Sequence, residues 1–239
     1  MKHTIILFLL LSVKLSVLAQ TDTTPHTLQV VGNSKIAVKP DLGILIISIT
    51  NKDLNFSQAI VGLDDKTRDI SKQIIEIGFK EDDIKTTDFQ ITENRIYARQ
   101  AYIDSGYLSR QNIRVEFKYQ KETITKILNK FSTSRTDFAL SFDFRLTDEL
   151  KDKAQDELLK LAIKDAKGKA KVIAGSSGVK LGKIRSINYG TNYSGGMREV
   201  QETAAYKTMA AREGGGAIAG FTPNDLLFAD NVLITWEIE

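Results

Sequence analysis

The chain has 239 residues, 42% of them hydrophobic and 26% charged, enough to bury a substantial core in one folded domain. It has no cysteine, which excludes disulfides, thiolate metal sites, a cysteine nucleophile and a lipid-anchored cysteine. The formal net charge of +3 drops to about +1 without Lys2 and Lys14 of the leader, a balance that points away from nucleic acid.

Residues 1–19 read as a secretory signal peptide: a basic start at Met1-Lys2-His3, an apolar run from Ile5 to Val13, and a cut after Ala19. Lys14 interrupts the apolar region and argues against a membrane-spanning helix. No later stretch is long and apolar enough to span a bilayer, so a mature chain soluble in an extracytoplasmic compartment is expected. Residues 20–27 form a polar N-terminal tether, and 28–239 the folded domain.

A first strand is expected from Leu28 to Val38, punctuated by Pro40-Asp41. Leu42 to Ile49 is nearly all apolar and predicts a strand buried on both faces. Ser57 is the candidate N-cap of a helix to Ile77, closed by Gly78, with Ile60, Leu63, Ile70, Ile74 and Ile77 inward. Thr87 to Tyr97 and Tyr107 to Tyr119 alternate as strands, with a hairpin tip at Ala101 to Gly106. A shorter helix covers Glu122 to Phe131, and Phe138 to Leu146 alternates as another strand.

The longest helix runs from an N-cap at Asp148 to Gly175 or Gly178. Ala154, Ala162, Ala166, Ala170 and Ala174, with Leu158 in the gap, form a ridge every four residues that fits close packing on a sheet. Leu181 to Tyr189 is the next strand. Residues 190–222 are Gly-rich and without a period, long for a loop and therefore read as an interaction segment or disorder. Val232, Ile234, Trp236 and Ile238 share one face of the last strand. The expectation is an α+β fold in β-α-β-β-α-β-α-β-β order, with three amphipathic helices on a largely antiparallel sheet of about six to seven strands.

Chemistry-bearing constellations are scarce. His26 is the one histidine beyond the leader and lies on the tether, where no triad or zinc site can be built around it. Asp64-Asp65, Asp82-Asp83 and Asp148-Glu149 sit among lysines and read as solvated or capping charges. Asp225 to Asp230 has apolar residues between its acids and does not match a calcium loop. Gly178 to Lys183 misses the phosphate-loop spacing, and Gly214-Gly215-Gly216 lacks the strand and capped helix such a loop needs. Arg110, Arg114 and Lys118 share a strand face that could meet an anion, diluted by Glu116. No catalytic residue, metal ligand or cofactor site is assigned.

Three stretches carry a family resemblance: Val30-x-Gly32 followed by Pro40-Asp41, the helix end at Ile74 to Thr86, and Leu161 to Ile184 with Asp165, Ala166, Lys169, Ala170 and the Gly178 to Gly182 turn. In this order, over about Leu28 to Ile238, they resemble the SIMPL-domain family of bacterial periplasmic and outer-membrane-associated immunogenic proteins. The family's usual Pro-Gly before the final strand is replaced by Pro223-Asn224. The resemblance implies an α+β, non-catalytic envelope protein in the periplasm or at the outer-membrane periphery. It further implies self-association and a loose link to stress responses, and it transfers no catalytic residue.

Two readings of activity follow. One is a homo-oligomer or binding module, with contacts at Tyr97, Tyr102 and Tyr107 and at Tyr193, Tyr206 and Met209 of the Gly-rich segment. The other is an envelope enzyme, or a glycan- or peptide-binding module, using the tyrosine-rich hairpin with Tyr97, Arg99, Tyr102 and Tyr107. An outer-membrane barrel fails on pattern, because strands alternate with amphipathic helices.

Overall fold

The computed structural model describes residues 26–98, 101–190, 196–200 and 222–239. The strands are β1 Thr27–Val38, β2 Leu42–Asp53, β3 Ile84–Ala98, β4 Ala101–Lys118, β5 Phe138–Arg145, β6 Leu181–Asn188, β7 Arg198–Glu199 and β8 Leu226–Ile238. The helices are α1 Phe56–Ile77, α2 Lys121–Phe131 and α3 Asp148–Ser176, with a 3₁₀ turn at Glu81–Asp83. The α+β class and the three helices agree with the sequence reading. The strands are divided between two four-stranded sheets rather than gathered in one, with orders β3-β4-β2-β5 and β1-β8-β6, β7 pairing with β8. The chain separates into two compact units: Met1–Ser34, Leu159–Gly196 and Asp230–Glu239 in one, Lys35–Leu158 and Met197–Ala229 in the other.

In the larger unit β2 is central. It pairs antiparallel with β4 from Leu42↔Lys118 to Asp53↔Tyr107, and with β5 from Leu42↔Arg145 to Ile49↔Phe138. Leu45, Ile47 and Ile49 turn one face of β2 into the core, beside Ile113, Val115 and Phe117 of β4 and under Leu63, Ile70, Ile74, Ile124, Ile127 and Phe131 of α1 and α2. On the opposite face Ile44 is also buried, but Ile46 and Ser48 are half-buried, so the all-apolar run covers more than the strand fully buries.

Asn55, not Ser57, caps α1: its side chain accepts from the Ser57 and Gln58 amides at 2.9 and 3.4 Å. Gly78 closes that helix at φ 118°, the left-handed position the sequence assigned to it. A smaller cluster packs Leu146, Ala154, Leu158 and Phe228 with Ile36, Val38, Leu150 and Leu226.

In the smaller unit the alanine ridge is buried as its spacing requires. Ala162, Ala166 and Ala170 of α3 lie fully buried against Val30, Val232, Ile234 and Trp236. The helix ends in paired bonds, Val179 N–H to the Ala174 carbonyl at 3.1 Å and Gly178 N–H to the Gly175 carbonyl at 3.4 Å. Gly178 has φ 72°, the left-handed residue that such a terminus needs, so Gly178 rather than Gly175 closes it.

Candidate functional site

The residues of the most specific sequence motifs form a structural lock. Gly32 lies on the alanine ridge, and on either side of it α3 grips the strand backbone. The Asn33 amide donates to Asp165 Oδ2 at 2.8 Å, and Lys169 Nζ donates to the Val31 carbonyl at 3.3 Å while pairing with Asp165 at 2.6 Å. The Lys169 hydrogen bond, with that from Asn33, holds the Asp165 carboxyl below the usual aspartate value. Both charges are occupied by backbone, so this face of α3 is a helix-to-strand clamp.

Pro40-Asp41 resolves in the same way. The Asp41 carboxylate accepts from the Thr147 amide and hydroxyl, each at 2.7 Å, and the Thr147 hydroxyl accepts from Leu150 N–H at 3.4 Å. Thr147, not Asp148, therefore caps α3, and Asp41 orients the cap. The three acidic pairs behave as solvated charges. Arg68 bonds to Asp64 and Asp65, the Lys80 amide donates to Asp83 at 3.0 Å, and Lys153 pairs with Glu149 at 2.6 Å. That hydrogen bond lowers the Glu149 pKa and raises that of Lys153.

On the β4 face noted for anions Arg114 is neutralised by its neighbour: its Nε and Nη2 both donate to Glu116 Oε1, at 3.0 and 2.6 Å. Both residues line a cleft of about 710 Å³ floored by Leu42, Leu226 and Phe228 and rimmed by Asp143, Arg145 and Lys151. Arg145 there is paired with Asp143 at 2.8 Å. Among the described residues, no three side chains able to ligate a metal come together.

Asp230, weighed from sequence only as part of a calcium loop, has a different role. It is 1% exposed on β8, accepting from Gly196 N–H and Asn231 N–H at 2.7 Å on Oδ1 and from the Tyr189 hydroxyl at 2.8 Å on Oδ2. The signal was available, because Asp230 shares strand parity with Val232, Ile234 and Trp236. Its partners make it an anchor for the chain on both sides of residues 191–195.

The hairpin is the remaining candidate, and its geometry differs from the sequence reading. Residues 101–106 belong to β4 rather than to a hairpin tip. The β3–β4 ladder runs on to Ala98↔Ala101, past Asp53↔Tyr107 where β2 stops, so its end is a two-stranded arm. At the base of the arm Gly106 adopts φ 82°, where a Cβ would stand 2.3 Å from the Asp53 carbonyl oxygen. Tyr97 and Tyr102 face each other across the arm, rings edge-to-face with centroids 5.2 Å apart, and are 66% and 76% exposed.

Tyr107 is set apart from that pair, packed edge-to-face on Phe56 at 5.3 Å. The predicted contacts Tyr193, Tyr206 and Met209 lie outside the described residues, as does Arg99. Among the described residues no helix is long and apolar enough to cross a membrane.

A family model, SIMPL, described as a protein of unknown function (DUF541), matches residues 28–236. The chain belongs to the SIMPL family. No curated protein matches it. The SIMPL match begins at the first residues of β1 and ends at Trp236 in β8, and so spans both the Gly32 clamp and the hairpin arm.

Proposed function

We propose that this SIMPL-family chain is a non-enzymatic, exported module of the cell envelope, in the periplasm or at the outer-membrane periphery, that works by associating with copies of itself. A link to envelope or oxidative stress belongs to the same reading. The hairpin arm is the observation that carries it. A two-stranded ribbon is only marginally stable alone in water, yet this one displays Tyr97, Tyr102 and Ile103 at 66%, 76% and 43% exposure. Exposed aromatics on a projecting element suit an interface that another chain covers. The leader-like composition of residues 1–19 supports export.

Light scattering on the purified chain tests the association. A mass above one subunit that falls to one subunit in Tyr97→Ser/Tyr102→Ser is the expected result. A wild-type mass of a single subunit at all concentrations overturns it. Fractionation tests the address separately: an uncut chain confined to the cytoplasm would end that part.

A further inference from the structure

Within the β3-β4-β2-β5 sheet, β3 is an edge, paired only with β4 among the described residues. Unpaired edges are where β-structured chains add to one another. From Asp88 to Ala98 no extra residue is inserted into β3 itself. The register shift at Thr86/Asp88 inserts a residue into β3, but at Glu93/Arg95 the extra residue falls on β4. Most of this edge is exposed.

The sequence along it is self-complementary. Ile91, Glu93, Arg95 and Tyr97 alternate onto one face. We infer, resting on the self-association reading above, that two copies join antiparallel along β3 about a two-fold axis perpendicular to the sheet at Asn94. In that register Glu93 stands opposite Arg95 of the partner subunit, and Ile91 opposite Tyr97 of the partner subunit, each pair occurring twice. Opposite charges and aromatic–aliphatic pairs are favourable cross-strand neighbours. Moving the axis to Thr92 faces Glu93 with Ile91, and moving it to Ile96 faces Arg95 with Tyr97. Of the three, Asn94 alone matches charge with charge between residues of β3.

Within one chain Arg95 Nη2 already reaches Glu93 Oε2 at 2.7 Å, with side chains 64% and 60% exposed. The pair is solvated and free to exchange partners when a second copy arrives. The result is an isologous interface and an eight-stranded sheet continuous across two subunits.

Charge reversal tests the register. Sedimentation equilibrium on the purified full chain gives the association constant of wild type, Glu93→Arg, Arg95→Glu and a one-to-one mixture of the two variants. Each variant alone places like charges opposite one another twice and is expected to associate about tenfold more weakly. In the mixture a chain with two arginines meets a chain with two glutamates. Association is then expected to return to within about threefold of wild type, although neither chain regains its internal Glu93–Arg95 pair. Unchanged melting temperatures confirm folding, as both positions are exposed.

Weakened single variants with a rescuing mixture support the β3 interface. A mixture that fails to rescue, or single variants that associate like wild type, overturns it and leaves self-association standing. A wild type that stays monomeric overturns both.

Discussion

Gly32 lies so close to α3 that a Cβ on it would stand 2.0 Å from the Ala162 carbonyl oxygen and 2.7 Å from the Ala166 methyl. A backbone carbonyl held in a helix cannot swing aside as the end of a long side chain can. The Val-x-Gly strand and the four-residue alanine ridge are therefore two halves of one device, each small because the other is near. Asp165 and Lys169 complete it by holding the strand backbone at Asn33 and Val31.

Gly32→Ala is expected to destabilise by about 3 kcal/mol, since overpacking against immovable backbone costs at the upper end of its range. Gly168→Ala is the control in the same helix. Nothing lies within 4 Å of a Cβ at Gly168, so the gain in helix propensity should stabilise by roughly 0.5–1 kcal/mol. Urea midpoints measure both. Shifts of the same sign would show that proximity to Ala162 is not what keeps position 32 a glycine.

Acid should loosen the clamp through Asp165. Its carboxyl is held below the ordinary aspartate value by Lys169 and the Asn33 amide, so it binds protons less readily folded than unfolded. Its stabilisation is complete above that unfolded value and is lost as pH falls through the lower folded one. Asp165→Asn keeps an acceptor for Asn33 N–H but cannot titrate. Urea midpoints between neutral pH and pH 3 should therefore fall less steeply for Asp165→Asn than for wild type. Parallel curves would remove Asp165 from the acid response.

Most of the element order was legible because period and punctuation agreed. Ala154 to Ala174 recur every four residues, and Gly78 and Gly178 each close a helix. The misses have local causes. Ser57 and Asn55 are both good caps, and the choice fell to Asn55 because its carboxamide reaches two amides. Gly106 looked like a hairpin tip, but its positive φ absorbs a bulge inside β4 and the ladder continues beyond it. Division into two sheets depends on which strands meet after long excursions, and no periodicity encodes that. Asp230 enters the sequence reading only as part of a rejected calcium loop, although its parity with Val232, Ile234 and Trp236 placed it inward. The tyrosine pair was legible as a cluster, while the separation of Tyr107 from it required the Phe56 contact.

Asp41 and Thr147 give a separate measure of how the motifs work. Thr147→Val removes both the hydroxyl donated to Asp41 and the acceptor for Leu150 N–H, and should cost about 1–2 kcal/mol. Thr147→Ser keeps both bonds and should lie within about 0.5 kcal/mol of wild type. Asp41→Ala should approach the valine variant, and the double variant should be clearly less than additive, because the two residues share their bonds. Full additivity in denaturant titrations would mean that the pair is not coupled.

Asp230 offers the sharpest contrast between losing a partner and losing a charge. Its carboxylate satisfies three donors in a site 1% exposed, so Asp230→Ala strands the Gly196 and Asn231 amides and should cost about 3 kcal/mol. Asp230→Asn preserves the shape and one acceptor oxygen. That oxygen can keep both amides, and the new NH₂ can donate to the Tyr189 hydroxyl, which has only to rotate. Its cost should stay within about 1 kcal/mol. Amide exchange at Gly196 should quicken in the alanine variant and stay slow in the asparagine one. If the two variants are equally destabilised, the negative charge itself is required at this position, and its role as a neutralisable anchor for the chain beside residues 191–195 fails.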